Sequence, residues 1–112
     1  MKTLYVLFAL CAAVFFADKI VNDVEEYRVT VVQINAKWND ANTRKDLENL
    51  RNCNYKFGWL EDQPASIQKN VKTVPVIVIY KGDVPAYQYA ADISLSLNIP
   101  LEEIQEKVSE LK

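Results

Sequence analysis

The sequence predicts an α/β domain with a central mixed sheet and helices on both faces. Two runs, RVTVVQIN from Arg28 and VPVIVIYKGD from Val74, are rich in β-branched residues and almost continuously apolar. That pattern suits strands buried on both sides. Segments with helical periodicity or helix-start signals alternate with the strand runs, which favours a parallel sheet with helices packed on it. A turn signal, Lys81-Gly82-Asp83, joins the last two strand runs as a hairpin, so the sheet is mixed.

Each element has its own reason. DKIVNDVEEY places Ile20, Val21, Val24 and Tyr27 on one helical face. RVTVVQIN follows as the first strong strand. Asp40 is placed to cap a helix through ANTRKDLENLRN, with Leu47 and Leu50 facing the core. YKFGWLE reads as a strand, and DQPASIQKNV as a short helix after Pro64. VPVIVIYKGD is the most apolar strand. PAYQYAAD alternates, with Tyr87 and Tyr89 on one side, and Pro85 at its start suits an antiparallel edge. IPLEEIQEKVSELK closes the chain as a helix with Pro100 in its first turn and a Leu101, Ile104, Val108, Leu111 stripe.

Composition narrows the function. The chain has 112 residues, 50% of them hydrophobic, enough for one domain with one core. Thirteen basic against 15 acidic residues leave a formal charge of -2, which offers no phosphate-binding surface and argues against nucleic acid. The absence of histidine removes the usual general base and the commonest metal ligand. Two cysteines, Cys11 and Cys53, are too few for a disulfide scaffold or a zinc site. Asp40, Asp46 and Glu48 do not cluster as metal ligands. No metal and no cofactor is expected. With two glycines there is no glycine-rich phosphate loop. Tyr80, Tyr87 and Tyr89 read as sheet residues, and Glu102, Glu103, Glu106 and Lys107 as a solvated helix face.

Residues 1–17, MKTLYVLFALCAAVFFA, carry one charge, Lys2, ahead of an apolar run. One reading is a secretory signal. Cleavage after Ala17 places bulky Phe15 two residues upstream, whereas cleavage after Ala13 places Cys11 there. The run is shorter than the roughly 20 apolar residues of a stable membrane span. The other reading is a first strand, KTLYVLF, and the start of a helix. The first implies a secretory, extracellular or periplasmic location and leaves Cys53 as the only thiol; the second implies a cytoplasmic one. Residues 18–112 form the domain, to which residues 1–17 add its first strand and helix start in the second reading.

Three stretches together resemble the thioredoxin family. VVQINAKWN is similar to the strand that leads into the family's Ala-x-Trp-Cys, with Ala36 and Trp38 in place. WLEDQP is similar to its next strand and Asp-x-x-Pro turn, through Asp62 and Pro64. KTVPVIVIYKGD is similar to its cis-proline, strand and Lys-Gly hairpin, with Pro75 as the proline. The resemblance spans Ile20 to Leu111 and implies a thioredoxin-like fold. Where the family has Cys-x-x-Cys, this chain has Asn39-Asp40-Ala41-Asn42. Gln33 stands where the family has a buried acid. Dithiol exchange needs a thiolate and a resolving thiol, and an amide is neither.

The resemblance implies a role for what is left. The residue before the cis-proline, Val74 here, offers its backbone to an extended peptide in this family, and Trp38 and Pro75 wall the groove. The expected function is a redox-inactive domain that binds a peptide or partner protein in a chaperone-like manner. The bland reading is that Trp38 and Pro75 are there for packing. Two other functions remain open: a monothiol exchange protein using Cys11 or Cys53, and a structural subunit of an assembly. Cys11 would head a helix in a second register. That register lacks the Trp and leaves about 40 residues between Asn35 and Pro75, a long stretch for one connection.

Overall fold

The computed structural model describes residues 27–112. Both readings of residues 1–17, the helix expected over DKIVNDVEEY, and Cys11 lie outside the described residues. What is described is a small α/β domain: a four-stranded mixed sheet of β1 (Val29–Asn35), β2 (Asn54–Trp59), β3 (Val76–Lys81) and β4 (Val84–Ala90), with helices α1 (Ala65–Asn70) and α2 (Leu101–Glu110). The strand order is β2-β1-β3-β4.

β1 explains its own composition. All seven of its residues are buried, because both faces of the sheet are covered. Val32 and Ile34 join Val76, Val78 and Tyr80 on the face covered by Ile67 of α1, with Leu60 and Val71 at its margin. Val29 and Val31 join Ile77 and Ile79 on the other face, against Leu47, Leu97, and Ile104 and Val108 of α2. Alternation along the strand puts Gln33 and Asn35 on this second face as well. The predicted α2 stripe is therefore the buried face of that helix, and Pro100 immediately precedes it.

Two expectations are corrected. Alternating strands and helices predicted that β3 would run parallel to its neighbours. β1 and β2 are parallel, but β3 is antiparallel to β1. α1 has six residues, about 9 Å of helix, while six residues of strand cover about 20 Å. The helix is too short to carry the chain back along the sheet, so the chain re-enters at the end where β2 finished. The second correction concerns ANTRKDLENLRN, which is not an α-helix capped by Asp40. It forms two 3-10 turns, Lys37–Asn42 and Asp46–Asn49, and Asp40 lies inside the first without a capping bond. The Arg44 N–H, which a helix would direct to a backbone carbonyl, donates instead to Gln33 Oε1 at 2.9 Å. Asn, Asp and Thr side chains compete for backbone partners in the same way. Leu47 is buried as expected.

The hairpin matches its sequence signal. β3 and β4 pair antiparallel, with β4 at the edge and a bulge where Tyr80 faces Pro85. Gly82 has φ 61° at the turn and donates its N–H to Arg28 O at 2.8 Å.

Candidate functional site

The strand register collects four connections at one end of the sheet. Asn35 is level with Trp59, Ile34 with Val76, and Val76 with Ala90. The segments after β1, β2 and β4, and the segment before β3, therefore meet there. The Val74–Pro75 bond at this end is cis, as the resemblance implied for Pro75.

Asn39 lies at the centre. It is 6% exposed. Its Nδ2, with two hydrogens for three acceptors, lies 3.0 Å from Asn35 Oδ1, 3.0 Å from Leu95 O and 3.3 Å from Val74 O, so one hydrogen is shared. Its Oδ1 accepts from Asn42 Nδ2 at 2.8 Å. Backbone carbonyls only accept, so Val74 and Leu95 fix which side of the amide carries the hydrogens. Asn35 Nδ2 in turn donates to Asn39 O at 2.9 Å and to Thr43 Oγ1 at 2.7 Å. The three asparagines thus knit the first turn to the end of β1, to the corner before β3 and to the loop after β4.

Gln33 makes a second buried knot. Its Nε2 donates to Arg44 O at 2.9 Å and to Tyr55 Oη at 2.8 Å, while its Oε1 takes the Arg44 N–H. One amide thus pairs with both backbone groups of Arg44, as a neighbouring strand would. The Arg44 guanidinium is held by both oxygens of Asp46 and by the carbonyls of Leu97 and Ile99. The hydrogen bond from Arg44 pulls the Asp46 carboxyl below its ordinary range.

The sequence-predicted residues separate into two groups. Asn39, Val74 and Pro75 are buried at the centre of the site, and exposed Asn42 reaches Asn39 from the rim; the Val74 carbonyl is occupied by Asn39. Trp38, Asp40 and Ala41 face outward, Trp38 with 67% exposure. The Lys37 N–H donates to both oxygens of Glu61, and Lys37 Nζ lies 3.3 Å from Asp62. Cys53 does not join them. It precedes β2, at the far end of the sheet, is half-buried, and burial raises its thiol pKa, which lowers the thiolate fraction available for exchange. Trp59 is half-buried, its ring edge-on to Phe57 at 4.8 Å.

Two members of the site were not foreseen. Asn35 had a readable signal: Asn35, Asn39 and Asn42 recur at spacings that return to one side of a turn. Leu95 had none. It has φ 62°, a left-handed conformation costly for a bulky side chain.

Chemically, the buried centre around Asn39 is built from side-chain amides and backbone carbonyls, with the Thr43 hydroxyl beside it and no thiol among the groups bonded there. Among the described residues no three His, Cys, Asp or Glu side chains group as metal ligands, and no helix is long and apolar enough to cross a membrane. No family model matches the chain. No curated protein sequence matches it either.

Proposed function

We propose that the chain is a redox-inactive thioredoxin-like domain that binds an extended peptide or a partner protein at the Trp38 and Val74–Pro75 end of its sheet. The observation that carries this reading is the Asn39 amide, 3.3 Å from the carbonyl of Val74 and next to the cis peptide bond. An unreactive side chain stands where the family resemblance puts a sulfur nucleophile, and all its polar atoms are engaged. Beside it, Trp38 leaves two thirds of its surface in solvent. A large aromatic ring on a turn pinned from several sides is an efficient anchor for a partner, because little ordering remains to be done on binding. The Val74 carbonyl is already bonded, so the affinity rests on the Trp38 face more than on pairing with that group.

Two measurements test the proposal. The full chain, supplied with a reductant, should not accelerate insulin disulfide reduction above the buffer rate; turnover would overturn redox inactivity. Asn39→Cys combined with Asn42→Cys should then form an intrachain disulfide on mild oxidation, because the two asparagine side chains already touch at 2.8 Å across a 3-10 turn. Thiols that stay free in the folded double variant would remove the alignment with a dithiol site.

A further inference from the structure

Resting on that binding role, we infer that the partner segment is basic: an extended peptide in which an apolar side chain is flanked by lysine or arginine. The apolar half of the argument is Trp38 and Ile93, 67% and 95% exposed. They stand on two segments tied together by the Asn39–Leu95 hydrogen bond, so both are presented at the same end of the sheet on a braced support. Isolated exposed apolar residues are common on protein surfaces. These two differ in that the connections carrying them are fixed by buried amides.

The charge half comes from the same connections. The segments 36–43, 60–63, 71–75 and 91–96 carry four carboxylates, Asp40, Glu61, Asp62 and Asp92, and two ammonium groups, Lys37 and Lys72. All four acids are exposed. Lys37 is engaged with Asp62, and Glu61 takes a neutral N–H with both oxygens and has no ion-pair partner among the described residues. The described connections at the opposite end reverse the balance, with Arg28, Arg51 and Lys81 against Asp83. An acidic rim around an apolar anchor favours a cationic segment and repels an anionic one. Charged rims act mainly on encounter and on discrimination between partners, so the preference weakens with salt.

The test uses fluorescein-labelled extended peptides with a central leucine flanked by lysines, beside versions in which glutamine or glutamate replaces each lysine, titrated with the full chain by fluorescence anisotropy. The lysine peptide should bind about tenfold more tightly than the glutamine peptide at low salt, and the gap should shrink several-fold near 0.3 M salt, where screening is short-ranged. Asp40→Lys with Asp62→Lys should close the gap, and Trp38→Ala should weaken the lysine and glutamine peptides alike. Glutamine and glutamate peptides binding as tightly as the lysine peptide would overturn the charge preference and leave peptide binding standing. Lysine-peptide binding unchanged by Trp38→Ala would show nonspecific attraction only and overturn the inference. Failure of all three peptides to bind would remove both this inference and the peptide reading beneath it. Circular dichroism of each variant keeps unfolding from being mistaken for lost affinity.

Discussion

The two ends of the sheet solve the same problem, reversing a chain, by different means. At the hairpin end the left-handed residues are Gly82 and Asn52, both types that tolerate that conformation, and a β-carbon added at Gly82 would meet nothing within 4 Å. At the site end the left-handed residue is Leu95, and a buried asparagine grips its carbonyl. The hairpin obeys local turn chemistry, in which glycine supplies the positive φ without steric cost. The loop at the site end adopts a conformation that leucine disfavours by about 1–2 kcal/mol, so tertiary contacts hold it there. Strain, buried amides and an exposed tryptophan coincide at one end and are missing from the described residues of the hairpin. That asymmetry is what marks the site end as more than a connection.

The asymmetry can be broken most sharply at Asn39. Asn39→Leu keeps a similar volume but leaves the Val74 and Leu95 carbonyls and Asn35 Oδ1 without their donor. Buried groups left unpaired cost about 1–3 kcal/mol each at full burial, so a total near 3 kcal/mol is expected from urea unfolding. A loss under about 1 kcal/mol would mean that the amide does not hold the loop. At the hairpin, Gly82→Ala meets no steric obstacle, so its cost is the backbone conformation alone, about 1 kcal/mol. A loss two or three times larger would show that the hairpin is also under tertiary control.

Smaller effects sharpen the contrast. Asp46 has its pKa lowered chiefly by the Arg44 hydrogen bond, and Arg44 braces the carbonyls of Leu97 and Ile99 beyond the strained loop. A depressed carboxyl stabilises the fold fully above its unfolded value, near 3.8, and that contribution disappears as pH falls through the lower folded value. Asp46→Asn should therefore flatten the acid limb of the stability curve below about pH 4 while changing neutral stability by under about 1 kcal/mol, as expected for a partly exposed pair. An unchanged acid limb would dismiss the pair as a contributor. Trp38→Ala should have the smallest effect on stability, within about 0.5 kcal/mol, because most of the ring is in solvent. A thermal midpoint that drops by many degrees would identify Trp38 as core and undercut its role as an anchor.

Much of the fold was legible because strand burial and hairpin chemistry are local. The continuous apolar run of β1, the hairpin around Gly82 and the Leu101–Leu111 stripe all read correctly from spacing and residue type. The segment after Trp38 did not. ANTRKDLENLRN has a helix-like spacing of Leu47 and Leu50, but its Asn, Thr and Arg groups found partners in β1 and in the loop after β4. No local pattern announces that Gln33 pairs with Arg44, eleven residues away. The antiparallel entry of β3 was also hidden, because it depends on how far α1 carries the chain and not on the pattern within either strand.

For the site, the sequence by itself determined the chemistry: three asparagines, Asn35, Asn39 and Asn42, with Trp38 beside them and no thiol in the stretch. Only the tertiary structure decided that Asn39 closes on the carbonyls of Val74 and Leu95, that Trp38 is exposed, and that the acidic residues share its end of the sheet. Composition limits which reactions side chains can perform, whereas exposure and hydrogen-bond partnership are properties of segments that meet only after the sheet has set their register.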